Sequence, residues 1–442
     1  MRVCGVYFVF VILLSACTNG VSHLDIALQQ AKHNKAELEK VLKHFKHDSL
    51  KYRAACFLIE NMPGKYSILP YDSLDRYKNF LKIIPQNDPI SWDVRYSKIW
   101  HGFDSISKRQ LAGFSKIEDI KVITGDYLIK NIEYSFKIWE NGKIKDYCSF
   151  DEFCHYILPY RIDHEPLSDW REEGFQKFGH LLDSLMSPRE LALRIIKLGG
   201  MRYNIGMTKY PYKQSYAEML QTRWGTCDDM AAFLALSLRA IGIPASIDYV
   251  PAWANRSSSH CWNVVKDATG DFIEVGYGPE GKNEVVYKIS KIYRKKYDIP
   301  LCDVTSEYAM PLSDLTFRVP SQKDKQLISL CTFNNHDWVP VALSKVMNGS
   351  VLFESVGRGI LWGDNQIRTY LNEGKGIVFL AFISQKGRLN NKPIGFPVIL
   401  LEDGTIKELC ASTEKESIIL YRKYPYYGCL LYTSDAADEE DS

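Results

Sequence analysis

The chain lacks an excess of charge of either sign: 55 Lys plus Arg stand against 53 Asp plus Glu in 442 residues. With that balance it carries no electrostatic footprint for a nucleic acid or another polyanion. It also lacks a membrane-length apolar run at its start, where Val6 to Leu14 behind Arg2 is too short to span a bilayer as a stable helix. A dense cysteine framework is missing too. The 11 cysteines are scattered, which excludes a small disulfide-stapled scaffold.

What the chain does contain is concentrated in Thr222-Arg-Trp-Gly-Thr-Cys-Asp-Asp-Met230 and the apolar stretch behind it. Gly225 is read as a sharp turn two residues before Cys227, with Asp228 and Asp229 as acids of a helical first turn. Ala231, Leu234, Ala235, Leu238 and Ile241 follow at helical spacing, and Gly242 with Pro244 ends the helix. Cys227 therefore stands at a helix N-terminus, which favours its thiolate, while the two aspartates oppose it. A base must assist. The candidate is His260, 33 residues on, in Ser259-His-Cys-Trp-Asn-Val-Val265, which alternates like a strand. The turn Asp267-Ala-Thr-Gly-Asp271 then leads to a second strand, Phe272-Ile-Glu-Val275. A cysteine on a helix and a histidine on a strand suit a thiol hydrolase or acyl transferase.

Gly225-Thr-Cys227-Asp-Asp229, Leu238-Arg-Ala-Ile-Gly-Ile-Pro-Ala245 and His260-Cys-Trp262-Asn-Val, in that order, resemble the transglutaminase-like superfamily, whose core shares the papain-type Cys-His-Asp arrangement. The resemblance runs from Pro188 to Gly281. It implies an aspartate at the end of the second strand to orient the histidine, but position 276 is glycine. Glu274, two residues earlier and on the same strand face, is one candidate for that part. A Cys-His dyad without a third member is the other. Gln221, six residues before Cys227, has the spacing of a papain-like oxyanion-hole glutamine, although a solvated glutamine fits as well. Trp262 is read as a cleft wall or a core residue. No metal is expected, because adjacent strand residues 260 and 261 point to opposite faces and cannot both join Cys227. No organic cofactor is needed.

At the start of the chain, the charge and length of the first residues read as a secretory signal over 1–16. Leu14-Ser-Ala-Cys17 resembles a bacterial lipobox, which implies cleavage before Cys17 and lipidation of its thiol; an ordinary signal or an uncleaved anchor is the alternative. Thr18 in place of aspartate implies, by analogy with lipoprotein sorting in Gram-negative bacteria, an outer-membrane destination in the cell envelope. At the other end, Cys429-Leu-Leu-Tyr-Thr-Ser-Asp-Ala-Ala-Asp-Glu439 resembles an in-frame translation of a sequencing-library adapter, so 429–442 is set aside. Without both segments the net charge is +6 over 412 residues, mildly basic. Setting aside Cys4, Cys17, Cys429 and a reactive Cys227 leaves Cys56, Cys148, Cys154, Cys261, Cys302, Cys331 and Cys410. Seven cannot all pair, and mostly buried free thiols are expected.

The architecture expected is α+β in three parts. A helical module covers 17–180: Asn34-Lys-Ala-Glu37 and Ser149-Phe-Asp-Glu152 read as capping boxes, and Leu128, Ile132, Phe136 and Trp139 share one helix face. It is a candidate brace for the catalytic cleft. Ser187-Pro-Arg-Glu190 opens a transglutaminase-like core over 187–291. From 300 to 428, short runs such as Leu327 to Phe333, Trp338 to Ala342, Ile377 to Phe382 and Ile418 to Tyr421 suggest a truncated β-sandwich. His336 and Asp337 are read as loop residues there. The function expected is cysteine-dependent amide hydrolysis, or acyl transfer, on protein or peptide amides through a thioester. The alternative is a non-catalytic surface lipoprotein that binds peptide or glycan.

Overall fold

The computed structural model describes residues 22–70, 114–141, 143–203, 213–255, 258–276, 287–299, 301–319, 324–334, 337–361, 367–369, 376–385 and 388–410. The signal, Cys17, His336, the run Ile418 to Tyr421 and the tail from 429 lie outside the described residues.

The first part is helical: α1 (His23–Ala31), α2 (Lys35–Phe45), α3 (Ser49–Glu60), α4 (Gly125–Asn141) and α5 (Phe150–Tyr156). Leu38, Val41 and Phe45 of α2 and Leu128, Ile132, Phe136 and Trp139 of α4 meet in one core. The Ser149 and Glu152 capping box is present at α5. At α2 the expected box is absent, although the helix starts there. Asn34 instead donates its amide to the Ile120 and Ile123 carbonyls (3.2 and 2.9 Å), and Glu37 accepts the Gly125 N–H (2.6 Å). The polar groups of this pair tie α2 to the start of α4. Within this helical part β1 (Tyr66–Pro70) pairs antiparallel with β2 (Phe114–Glu118). That pairing was illegible from local pattern because the two strands are far apart in the chain.

The middle part is a helix against a sheet. α6 (Trp170–Phe178), α7 (Pro188–Gly199) and α8 (Tyr216–Thr222) surround α9 (Cys227–Ala240). Two short segments, β3 (Arg202–Tyr203) and β4 (Trp224–Gly225), pair in parallel beside the start of α9. Ser187 caps α7 with Glu190 and Pro188 in its first turn. α9 is buried nearly all round, as befits a helix packed between other helices and a sheet. Gly242 just past it has φ +88°, and a Cβ there would lie 2.0 Å from Ile138, so only glycine closes this helix.

Five antiparallel strands receive α9, in the order β10 (Cys302–Asp303), β9 (Tyr293–Arg294), β5 (Ala245–Val250), β6 (His260–Lys266), β7 (Phe272–Val275). Side chains alternate: Ile247, Cys261, Val265 and Val275 turn toward the helices, whereas Trp262 and Val264 turn away into a second core with Trp253, Ile289 and Tyr308. The helical module braces this unit. Arg171 of α6 reaches the Ile157 and Leu158 carbonyls (2.5 and 2.9 Å), Lys266 pairs with Glu152, and Tyr297 donates to the Leu58 carbonyl (3.1 Å).

The C-terminal part is a set of antiparallel sheets. β8 (Tyr287–Ile289) pairs with β15 (Gly359–Leu361), which pairs with β16 (Ile367–Thr369). β11 (Leu312–Arg318) pairs with β14 (Ser350–Gly357). A five-stranded sheet runs β13 (Trp338–Lys345), β12 (Leu327–Phe333), β17 (Ile377–Gln385), β18 (Arg388–Leu400), β19 (Ile406–Glu408). Leu315, Phe317 and Phe353 of one layer pack on Ile328, Leu330 and Phe379 of the other. Pro340 sits on the edge strand β13, where a missing donor is tolerated.

Candidate active site

Cys227 is the first residue of α9, and Thr226 caps the helix. The Thr226 side chain accepts the Asp229 N–H (3.4 Å), while the Asp229 carboxylate accepts the Thr226 N–H and hydroxyl (both 2.9 Å). The spacing Thr226-x-x-Asp229 is itself a capping-box signal, and it went unread in the sequence. It explains one of the two acids after the cysteine: Asp229 serves the cap. Gly225 has a different role from the turn expected of it. Positive φ occurs at Arg223 (54°), and a Cβ on Gly225 would lie 2.5 Å from the Asp229 Cβ. Glycine is needed there because the capping aspartate occupies the space a side chain would need.

His260 is the first residue of β6, opposite Val250, and it bears on the Cys227 thiol, favouring its charged form. The fold brings the two together by pinning β6 to α9. Buried Asn263 donates to the Ala231 carbonyl (2.8 Å), one turn below the thiol. Cys261 packs with Cys227, and its thiol donates to the Asp228 carboxylate (3.4 Å). Alternation had suggested that residues 260 and 261 could not both reach Cys227. Cys261 does pack with Cys227, and His260, at the start of the strand, bears on the same thiol. Among the described residues no group of three or more His, Cys, Asp or Glu is placed to hold a metal ion.

The Cys227 thiol is brought down to about 6: Cys261 beside it contributes most, His260 adds to this, and burial and Asp228 oppose them. Around it lies a compensated ionic cluster, with Lys213 3.5 Å from Asp228 and Lys295 3.2 Å from Asp163. Burial disfavours the Asp228 charge, but Lys213 and Lys295 outweigh it and hold the carboxyl below its ordinary range. Burial pushes Asp229 up, against Lys213 and the capping hydrogen bonds.

The other expected residues are placed as follows. Glu274 is opposite Val264, on the His260 face but four residues along β6 from it, roughly 13 Å at about 3.3 Å per residue. Its charge bears on Tyr308. Gly276 follows directly after β7. Two indoles flank His260: Trp253 stacks at 5.8 Å between centroids and Trp262 lies at 6.0 Å. Trp262 is a core residue, 2% exposed, whose indole N–H donates to the Tyr308 hydroxyl (2.9 Å). Tyr308 donates in turn to Asp248 (2.6 Å), which is held by Arg294 at 2.8 and 2.9 Å. This buried Asp248–Arg294 pair gave no local signal in the sequence, since its members are 46 residues apart. Gln221 is exposed in the last turn of α8. The eight cysteines described are all free; Cys148, Cys154, Cys261 and Cys331 are buried.

The transglutaminase-like superfamily matches residues 180–276, and those residues are a domain of that kind. No curated protein matches the chain. Among solved structures, one from Cytophaga hutchinsonii, described as a candidate cysteine protease, aligns over 51% of this chain and 53% of that one, about half its length. The two are 12% identical with a TM-score of 0.21.

Proposed function

We propose that the transglutaminase-like domain is a cysteine-dependent amide hydrolase or acyl transferase acting on protein or peptide amides. The observation that carries this reading is the Cys227 thiol at a helix N-terminus, held below its ordinary range with the imidazole of His260 among the causes. His260 takes the thiol proton, and the thiolate attacks the amide carbonyl. The oxyanion forms at the Cys227 N–H, with the Gln221 amide as the proposed second donor. The amine leaves with the proton held by His260, and a thioester remains. Water or a second amine, deprotonated by the same imidazole, then releases the acyl group. At some 13 Å along the strand, Glu274 is beyond direct reach of the imidazole, and Trp253 and Trp262 supply its orientation.

The rival reading, a binding lipoprotein without catalysis, is favoured by Gly276 at the position where the superfamily has its acid. We propose a lipid anchor at Cys17 and an outer-membrane location with either reading. One experiment separates the two. Incubation of the wild type and Cys227→Ser with glutamine-containing peptides, with ammonia release and peptide masses as readouts, gives turnover in the first and none in the second. Equal behaviour of both proteins eliminates the catalytic reading. Hydrolysed and amine-adducted products distinguish the two acceptors.

A further inference from the structure

Four residues stand in one row across the sheet that carries the site. Cys261 is opposite Tyr249, Tyr249 is opposite Tyr293, and Tyr293 is opposite Asp303. The row begins at the nucleophile, since Cys261 and Tyr249 pack with Cys227. It continues through Tyr293, whose ring lies 5.9 Å from that of Tyr249. Lys291 and Lys295 share the Tyr293 face, while Ile292 and Arg294 turn to the opposite core with Trp262 and Asp248. α9 packs on β5 and β6, and over β9 and β10 lies a cavity of about 270 Å³ bounded on its other side by β13 and β14. At about 4.8 Å per strand, Asp303 is roughly 14 Å from Cys261. Asp228, Tyr249 and Lys295 are half-buried and Asp303 is exposed, so solvent reaches the strip between thiol and cavity.

Three strand edges line that cavity. Residues 340–344 of β13 and 352–354 of β14 border it in consecutive runs. Alternate side chains leave a strand on opposite faces, so a run of consecutive residues meets a cavity along the strand's edge. β10, β13 and β14 are each outermost in their sheets among the described residues, and an outermost strand has backbone donors and acceptors that its own sheet leaves over. Tyr293 uses one of them, donating its hydroxyl to the Val341 carbonyl (2.8 Å). Ser329, 4% exposed, lines the same space, and its hydroxyl has no hydrogen-bond partner among the described residues. Buried Lys291 is held by Asp303 and the Glu354 carbonyl (2.7 Å), which leaves one ammonium hydrogen. Lys291 and Asp303 neutralise one another, so the occupant that fits is uncharged and both donates and accepts hydrogen bonds, as an extended peptide main chain does.

We propose that this cavity is a remote subsite of the Cys227 cleft and takes an extended segment of the peptide substrate about four residues from the amide under attack, at about 3.3 Å per residue. This rests on the reading of Cys227 as a nucleophile toward peptide amides. The segment runs over Tyr249 and Tyr293 and pairs with the free edge of β13, where Ser329 and Lys291 meet its carbonyls.

The test uses the full chain with Cys227→Ser, which prevents turnover, and uncharged peptides carrying one glutamine with five residues on either side. A photoreactive benzoylphenylalanine replaces the residue one or four positions from the glutamine, and attachment sites are read by peptide mass. On one side of the glutamine, the probe four positions away attaches within Trp338–Lys345 or Ser350–Gly357, and the adjacent probe attaches near Tyr249 or the start of α9. Distant probes that attach elsewhere on both sides overturn the proposal. Ser344→Trp and Leu352→Trp crowd the cavity from half-buried and exposed positions. Each weakens binding of the long peptide about tenfold, to the level of a glutamine with one residue on either side. Unchanged affinity in both also overturns it. Attachment near Cys227 with none on β13 or β14 sinks this subsite and leaves the peptide reading standing, whereas no attachment anywhere sinks the peptide reading itself.

Discussion

Two regions of this molecule present a cysteine at the mouth of a capped helix, and their thiols behave oppositely. Cys148 directly precedes Ser149, which caps α5 with Glu152; Cys227 directly follows Thr226, which caps α9 with Asp229. Burial pushes Cys148 up to about 12, and Glu152 adds to the effect. Cys154, inside α5, is likewise raised to about 12 by burial. Cys227 falls to about 6. A helix start with an acid in its first turn therefore does not by itself make a thiolate. What separates the two sites is which end of β6 they meet: Cys227 meets His260 and Cys261 at its start, whereas Cys148 meets only Lys266 at its end, whose charge does not offset burial.

The largest expected contrast is chemical. With Cys227 held down and Cys148 and Cys154 pushed up by burial, iodoacetamide at pH 7 should label Cys227 and leave Cys148 and Cys154 untouched in the folded chain. Labelling of all three at similar rates would erase the comparison. Next in size is His260→Ala, which should lower turnover by on the order of 10²- to 10⁴-fold and raise the Cys227 alkylation midpoint. An unchanged midpoint would show that the imidazole does not touch the thiol.

A third consequence is a pH dependence of stability. The native Cys227 thiol ionises at about 6 against an ordinary 9, so between those values the native state holds fewer protons than the unfolded one. Its contribution is full above about pH 9 and is lost as pH falls through about 6. Chemical denaturation of wild type and Cys227→Ser should give a stability difference that shifts in favour of wild type as pH rises from 6 to 9. A difference flat across that window contradicts the depressed thiol. The smallest effects belong to the caps. Thr226→Ala and Ser149→Ala should each cost about 1 kcal/mol in urea denaturation, but only Thr226→Ala should alter Cys227 alkylation. Equal effects of both on alkylation would mean that the label reports global loosening.

Much of this was legible in sequence where the signal is local. The α9 periodicity, its stop at Gly242, the Ser149 and Ser187 capping boxes, and the turn between β6 and β7 all depend on neighbours a few residues apart. The motif around Cys227 and His260 was legible for the same reason. Gly225 and Asn34 were misread because their roles are spatial: one clears space for Asp229, and the other ties α2 to the carbonyls before α4.

The sequence by itself determined which residues could do chemistry and which segments would be helix or strand, because propensity, capping and side-chain alternation act over a few residues. Tertiary structure decided which of the cysteines ionises and what holds His260. Those outcomes depend on burial, on Trp253 and Trp262 against the ring, and on Cys261 against the thiol. Desolvation and hydrogen bonding act through a few ångströms of space, and in a chain of 442 residues such neighbours are set by the packing of α9 on its sheet.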